Sequence, residues 1–220
     1  MSRSRSSTGT RAATALTTRR RMVGAAYRCF GAGGYRGTTM TAIAHEAGVA
    51  VQTLYYTFHT KAALLGEAIG AAVLGFDRWR EPPADPPTEE LLVWLDWWET
   101  FAAAPNSAEA LDVFVSAGVP ILDRIAPLVP AMHATAGDPE GEEIVGVAER
   151  HRYESYREVV RVLAEKPDGL RASLGQDTAT DMLYALFSAE VYRALSGRRW
   201  SLERCREFFR QFLERNLIGS

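Results

Sequence analysis

Cysteine is scarce. Only Cys29 and Cys205 occur in 220 residues, and no C-x-x-C pair exists. Both lie inside helical patterns, so they read as small buried hydrophobes in a reducing cytoplasm rather than as a disulfide. The four histidines form no HxxxH pair, and Glu143 and Glu149 stand too loosely about His151 to hold an ion. No metal and no cofactor is expected. No nucleophile, base and orienting group fall into a recognisable set, and no phosphate-cradling glycine loop is present, so no enzyme is expected. No apolar run is read as approaching the ~20 residues of a membrane span, so no membrane partner is expected. The first residues lack an apolar core segment, and a secretory signal is not expected.

Acid is nearly missing from the first 61 residues. They hold nine basic side chains against the single Glu46, a net charge of +8. The rest carries 16 basic and 26 acidic residues, a net of −10, so the overall −2 conceals a polarity. A basic head suits phosphate neutralisation on nucleic acid, although basic tails also serve solubility alone.

Within that head, residues 38–61 read TTMTAIAHEAGVAVQTLYYTFHTK. Ile43, Ala44 and Ala47 make a small apolar helix face, and Gly48 closes that helix at a left-handed position. Val49 packs under the turn. A second helix follows over about 50–58, with Val51, Leu54, Tyr55 and Phe58 on one side and Gln52, Thr53, Tyr56 and Thr57 on the other. An outer face offering an amide, hydroxyls and a phenol, with no acid, fits the major groove of DNA. The pattern predicts a helix-turn-helix.

The stretch RMVGAAYRCFGAGGYRGTTMTAIAHEAGVAVQTLYYTFHTKAAL, residues 21–64, resembles the TetR family of transcriptional regulators. Its glycine-aromatic-x-x-Thr-Thr run, Ile-Ala-x-x-Ala-Gly-Val turn and Leu-Tyr-x-x-Phe-x-x-Lys close carry the resemblance. It implies an all-α chain with an N-terminal three-helix DNA-binding domain and a C-terminal helical bundle for ligand binding and dimerisation. The expected division is a disordered basic arm over 1–16, the helix-turn-helix domain over 17–62, and the ligand-binding and dimerisation domain over 63–220. The resemblance implies a cytoplasmic bacterial repressor: a homodimer on a palindromic operator in double-stranded DNA, released by a small apolar or aromatic effector.

By match to the family motif, Tyr55 and Lys61 resemble phosphate contacts, with the Tyr55 ring in the core and its hydroxyl outward. Thr38 and Thr39 resemble the phosphate-touching start of the preceding helix. Gln52, Thr53 and Tyr56 are the candidates for base edges, with Thr41 adding from the first helix.

Further helices are expected over about 17–32, 61–79, 88–103, 107–124, 140–165, 177–196 and 201–217, with a proline-rich boundary at 80–88. Prolines 120, 127 and 130 are expected to chop the chain into short pieces. Trp94, Trp97, Trp98 and Phe101 crowd one helix. They read equally as core or as an aromatic pocket wall. Phe114, Met132, His133, Tyr153 and Tyr156 complete the candidate lining. By resemblance the last two helices pair with their copies through Leu183, Phe187, Val191, Phe208, Phe209 and Phe212. An intramolecular core would show the same pattern.

Overall fold

A computed structural model describes residues 5–79 and 88–219, with side chains over 14–79 and 91–219. Most of the expected boundary at 80–88 lies outside these, as do residues 1–4 of the basic arm. The described chain is helical throughout, and no strand occurs among the described residues. The helices are α1 (Arg5–Gly37), α2 (Met40–Ala47), α3 (Val51–Phe58), α4 (Lys61–Leu74), α5 (Thr88–Val93) and α6 (Trp98–Ala103). They continue as α7 (Ser107–Ile125), α8 (Val129–His133), α9 (Pro139–Ala164), α10 (Gln176–Leu186), α11 (Ala189–Ser196) and α12 (Leu202–Leu217).

Two compact units form. The first holds 1–82 and 127–146; the second holds 83–126 and 147–220. Helix α9 contributes its first turns to one unit and the remainder to the other.

In the first unit α1 is the spine. Met22, Val23, Ala26 and Phe30 are buried at helical spacing, and α2, α4 and α8 pack along α1. Each such large side chain removed from water contributes roughly 1.5–3 kcal/mol. Residues 5–16, expected without structure, continue α1 as helix. Ala12, Ala13, Ala15 and Leu16 propagate a helix at little cost once the segment behind them is docked. Gly34 (φ 66°) breaks α1 before Tyr35. Thr39 caps α2 by accepting from the Ala42 N–H at 3.1 Å, and Thr60 caps α4 by accepting from Ala63. Helix α4 ends at Leu74, short of the expected 79, because Gly75 leaves helical geometry and its N–H bonds back to Ala71. Trp79 then folds into the core beside Gly70.

In the second unit α7 is central, packed by α6, α11 and α12. Leu111, Phe114, Val115, Val119 and Leu122 form its buried face. Pro120 does not break it; the helix runs through to Ile125. The helix expected over 88–103 is two pieces, α5 and α6, separated by a turn at 94–97. The helix expected over 177–196 is also two pieces, because the Phe187 N–H closes on Leu183 while Ser188 caps α11. The stretch Ser107–His133 corrects one reading of the sequence. It contains an 18-residue window of mean hydropathy 1.4, long and apolar enough to cross a membrane by composition. Its apolar face over α7 is the core of the second unit.

Candidate nucleic-acid interface

Helices α2 and α3 form the helix-turn-helix. Gly48 sits at φ 63°, ψ 40°, and its N–H bonds to the carbonyls of Ala44 and His45. Glycine adopts this left-handed geometry without the Cβ clash that another residue meets. The Val49 N–H then reaches the Ala44 carbonyl at 3.0 Å, which sets the angle at which α3 leaves. Leu54 and Phe58 pin α3 to the core.

The opposite face of α3 is open. Gln52 and Thr53 are exposed, and Tyr56 is 85% exposed. A tyrosine so far out of the core takes little part in packing. Tyr55 departs from expectation. It is 51% exposed, so its ring is not in the core. At a 100° step per residue it sits beside the outer face, on the flank that Leu54 and Phe58 do not use.

Thr38 also departs from expectation. Its side chain is 3% exposed, and its hydroxyl faces the carbonyls of Gly34 at 2.7 Å and Cys29 at 3.0 Å. That hydroxyl closes the gap after α1 and is committed there. Thr39 and Thr41 are exposed at the start of α2. Lys61 is half-buried. Its Nζ donates to the Tyr35 carbonyl at 2.9 Å and lies 4.2 Å from the Tyr35 ring centre. Three donors on one ammonium leave others for a phosphate.

The basic count overstates the charge free for DNA. Arg19 donates to Glu67 at 2.8 Å and lies 4.8 Å from the Phe58 ring centre. Arg20 holds the Trp79 carbonyl, Arg28 pairs with Glu46, and Arg36 holds the Ala136 carbonyl. Net charge showed the polarity but not these partners, which lie 18 to 100 positions away in sequence.

The second unit gathers Trp97, Trp98, Phe101, Phe114 and Tyr156 into one aromatic chain. Trp97 meets Trp98, Phe101 and Phe114 edge-on at 5.7–5.9 Å between centres. Phe114 meets Tyr156 and Phe187, and Phe187 meets Phe209. Phe101 and Phe114 are buried, Trp94, Trp97 and Trp98 half-buried. The indole Nε1 of Trp97 is buried with no acceptor among the described residues. The Tyr156 hydroxyl donates to the Phe187 carbonyl at 2.9 Å, and burial pushes its pKa up to about 12. Tyr153 donates to Asp181. Arg152, which the sequence reading missed, stacks 3.8 Å from the Tyr184 ring centre and bonds to Glu149. Met132 and His133 lie on α8, which packs on α1 in the first unit.

The candidate dimer residues divide. Leu183, Phe187 and Phe209 are buried in the second unit's own core; Val191, Phe208 and Phe212 are half-buried. The amphipathic period cannot separate these two fates, since both demand apolar side chains. Among the described residues no group of three or more His, Cys, Asp or Glu is placed to hold a metal ion.

Residues 23–68 match the family model of bacterial regulatory proteins, tetR family. No curated protein matches the chain by sequence. Solved structures share the fold. A candidate transcriptional regulator from Saccharomonospora viridis, in complex with choline, is 22% identical, with 92% of this chain and 98% of that one covered at a TM-score of 0.64. The fatty acid degradation regulator FadR from Bacillus halodurans is 17% identical, with 89% and 93% covered at 0.63. The transcriptional regulator FadR from Bacillus subtilis, in complex with stearoyl-CoA, is 15% identical, with 88% and 96% covered at 0.60. The helix-turn-helix over 23–68 is thus of the kind found in bacterial regulatory proteins of the tetR family, and the fold along most of the chain is one shared with solved transcriptional regulators.

Proposed function

We propose that the chain is a ligand-responsive repressor, not an enzyme, that acts in the cytoplasm as a homodimer on a palindromic operator. The observation that carries the reading is the outer face of α3. Gln52, Thr53 and Tyr56 stand in solvent on a helix pinned only from behind. Gln52 pairs with adenine and Thr53 touches a thymine methyl, while Tyr55, Thr39, Thr41 and Lys61 hold the phosphates. Thr38 supports the site from beneath.

The effector enters the second unit among Trp94, Trp97, Trp98, Phe101, Phe114, Tyr153 and Tyr156. Relatives in fold that hold choline and stearoyl-CoA support a small-molecule effector here. A flat or apolar molecule stacks on the rings, and a carbonyl or carboxylate on it accepts from the unpartnered Trp97 indole. Val191, Phe208 and Phe212 make the twofold contact. Effector binding lowers operator affinity through a coupling of ~1–3 kcal/mol.

Selection from randomised duplex DNA tests the reading. Enrichment of an inverted repeat with half-sites spaced by whole helical turns is expected. Recovery of no inverted repeat would contradict it.

A further inference from the structure

Three residues far apart in sequence form one relay in the first unit. The Tyr35 hydroxyl donates to Asp138 Oδ2 at 2.9 Å. Asp138 sits in the turn before α9, where its Oδ1 accepts from the Gly141 N–H at 3.3 Å. The Tyr35 ring is buried and stacked 6.0 Å from Phe30, and the Lys61 ammonium lies over its face. The same turn grips both neighbours of this pair. Arg36 donates to the Ala136 carbonyl at 2.9 Å, and the Thr60 hydroxyl donates to Glu140. At Gly141 a β-carbon would come within 2.8 Å of Thr135 and 3.4 Å of the Tyr35 hydroxyl, so the backbone must approach closely there.

We propose that Asp138 and Tyr35 are positioning residues that preset the Lys61 ammonium for a DNA phosphate. The inference rests on the reading of Lys61 as a phosphate contact. A free lysine surrenders rotamer freedom when it docks. Here the ring face and the Tyr35 carbonyl hold Lys61 near one place beforehand, with further N–H groups on the same ammonium to offer a phosphate. Asp138 fixes the ring by accepting from its hydroxyl. The turn that carries Asp138 thereby sets how well Lys61 serves the DNA, although it touches no DNA itself.

A double-mutant cycle tests this, with a labelled duplex recovered from the selection as probe. Tyr35→Phe and Asp138→Ala are each expected to weaken binding about 3- to 10-fold, the effect of freeing one long side chain. Lys61→Ala is expected to lower the salt slope by about 1. In the Lys61→Ala background, Tyr35→Phe and Asp138→Ala are expected to change affinity no further. A loss of equal size in both backgrounds means that the two residues only support the fold, and overturns the inference while leaving the regulator reading intact. Tighter binding by either variant overturns it as well. Absence of duplex binding by the wild type overturns both readings. Asp138 lies in a half-buried turn, so its variant keeps the test open even where Tyr35→Phe loosens the core.

Discussion

The Phe187 ring lies against α7 where Gly118 has no side chain: a β-carbon at 118 would stand 2.7 Å from two of its ring atoms. Both residues are buried, and Phe187 occupies the break between α10 and α11. Gly118→Ala is therefore expected to destabilise the second unit by about 1–3 kcal/mol through overpacking. A chain of this size loses ~2–4 °C of Tm per kcal/mol. Thermal melts read the shift. Phe187→Leu on top should restore part of it, and a purely additive double variant would refute the contact.

Tyr56→Ala and Gln52→Ala should leave the melting curve unmoved, since each side chain stands in solvent. Gln52→Ala should relax base preference at one position of each half-site, worth ~1–3 kcal/mol against the wrong base. Repeating the selection with the variant reads it. A variant that weakens every sequence alike would move Gln52 to the phosphate class.

Thr38→Val is expected to act on stability and not on readout. It removes a buried hydroxyl from two carbonyl acceptors at a cost of ~1–3 kcal/mol. The melting temperature should fall while the salt slope of DNA binding stays fixed. A slope lowered by about 1, with Tm unchanged, would return Thr38 to the phosphate contacts.

Two carboxylates predict an acid limb. The hydrogen bond from Arg210, then that from Gln211, holds Glu207 down to about 2 from its ordinary 4.5. The Tyr35 hydroxyl holds Asp138 below its ordinary range. A depressed folded pKa contributes stability that is complete above the unfolded pKa, ~4 for these groups, and lost as pH falls through the folded value. Stability should decline from about pH 4 downward, read by melts across pH. Glu207→Gln should flatten part of that limb, and an unchanged limb would show that the pair with Arg210 contributes nothing.

If the proposed homodimer forms through this face, Phe212→Glu should split it into monomers by light scattering while leaving the helical content intact, because Phe212 is only half-buried in its own chain. A dimer that survives Phe212→Glu and Phe208→Glu together would place the twofold contact elsewhere.

Local chemistry was legible without coordinates. The left-handed Gly48 and the alternation of Leu54 and Phe58 with Gln52 and Thr53 depend on neighbours within four residues. Spacing alone therefore settles them. The sequence by itself also determined the charge polarity and the helix-turn-helix. Only the tertiary structure decided which of these groups are spoken for. Arg19, Arg20, Arg36, Lys61 and Thr38 all find partners inside the first unit, and Leu183, Phe187 and Phe209 vanish into the second unit's core. A cation or an apolar side chain has the same period whether it meets its own chain, a copy or DNA. The difference is set by elements distant along the chain, and folding alone brings them within reach.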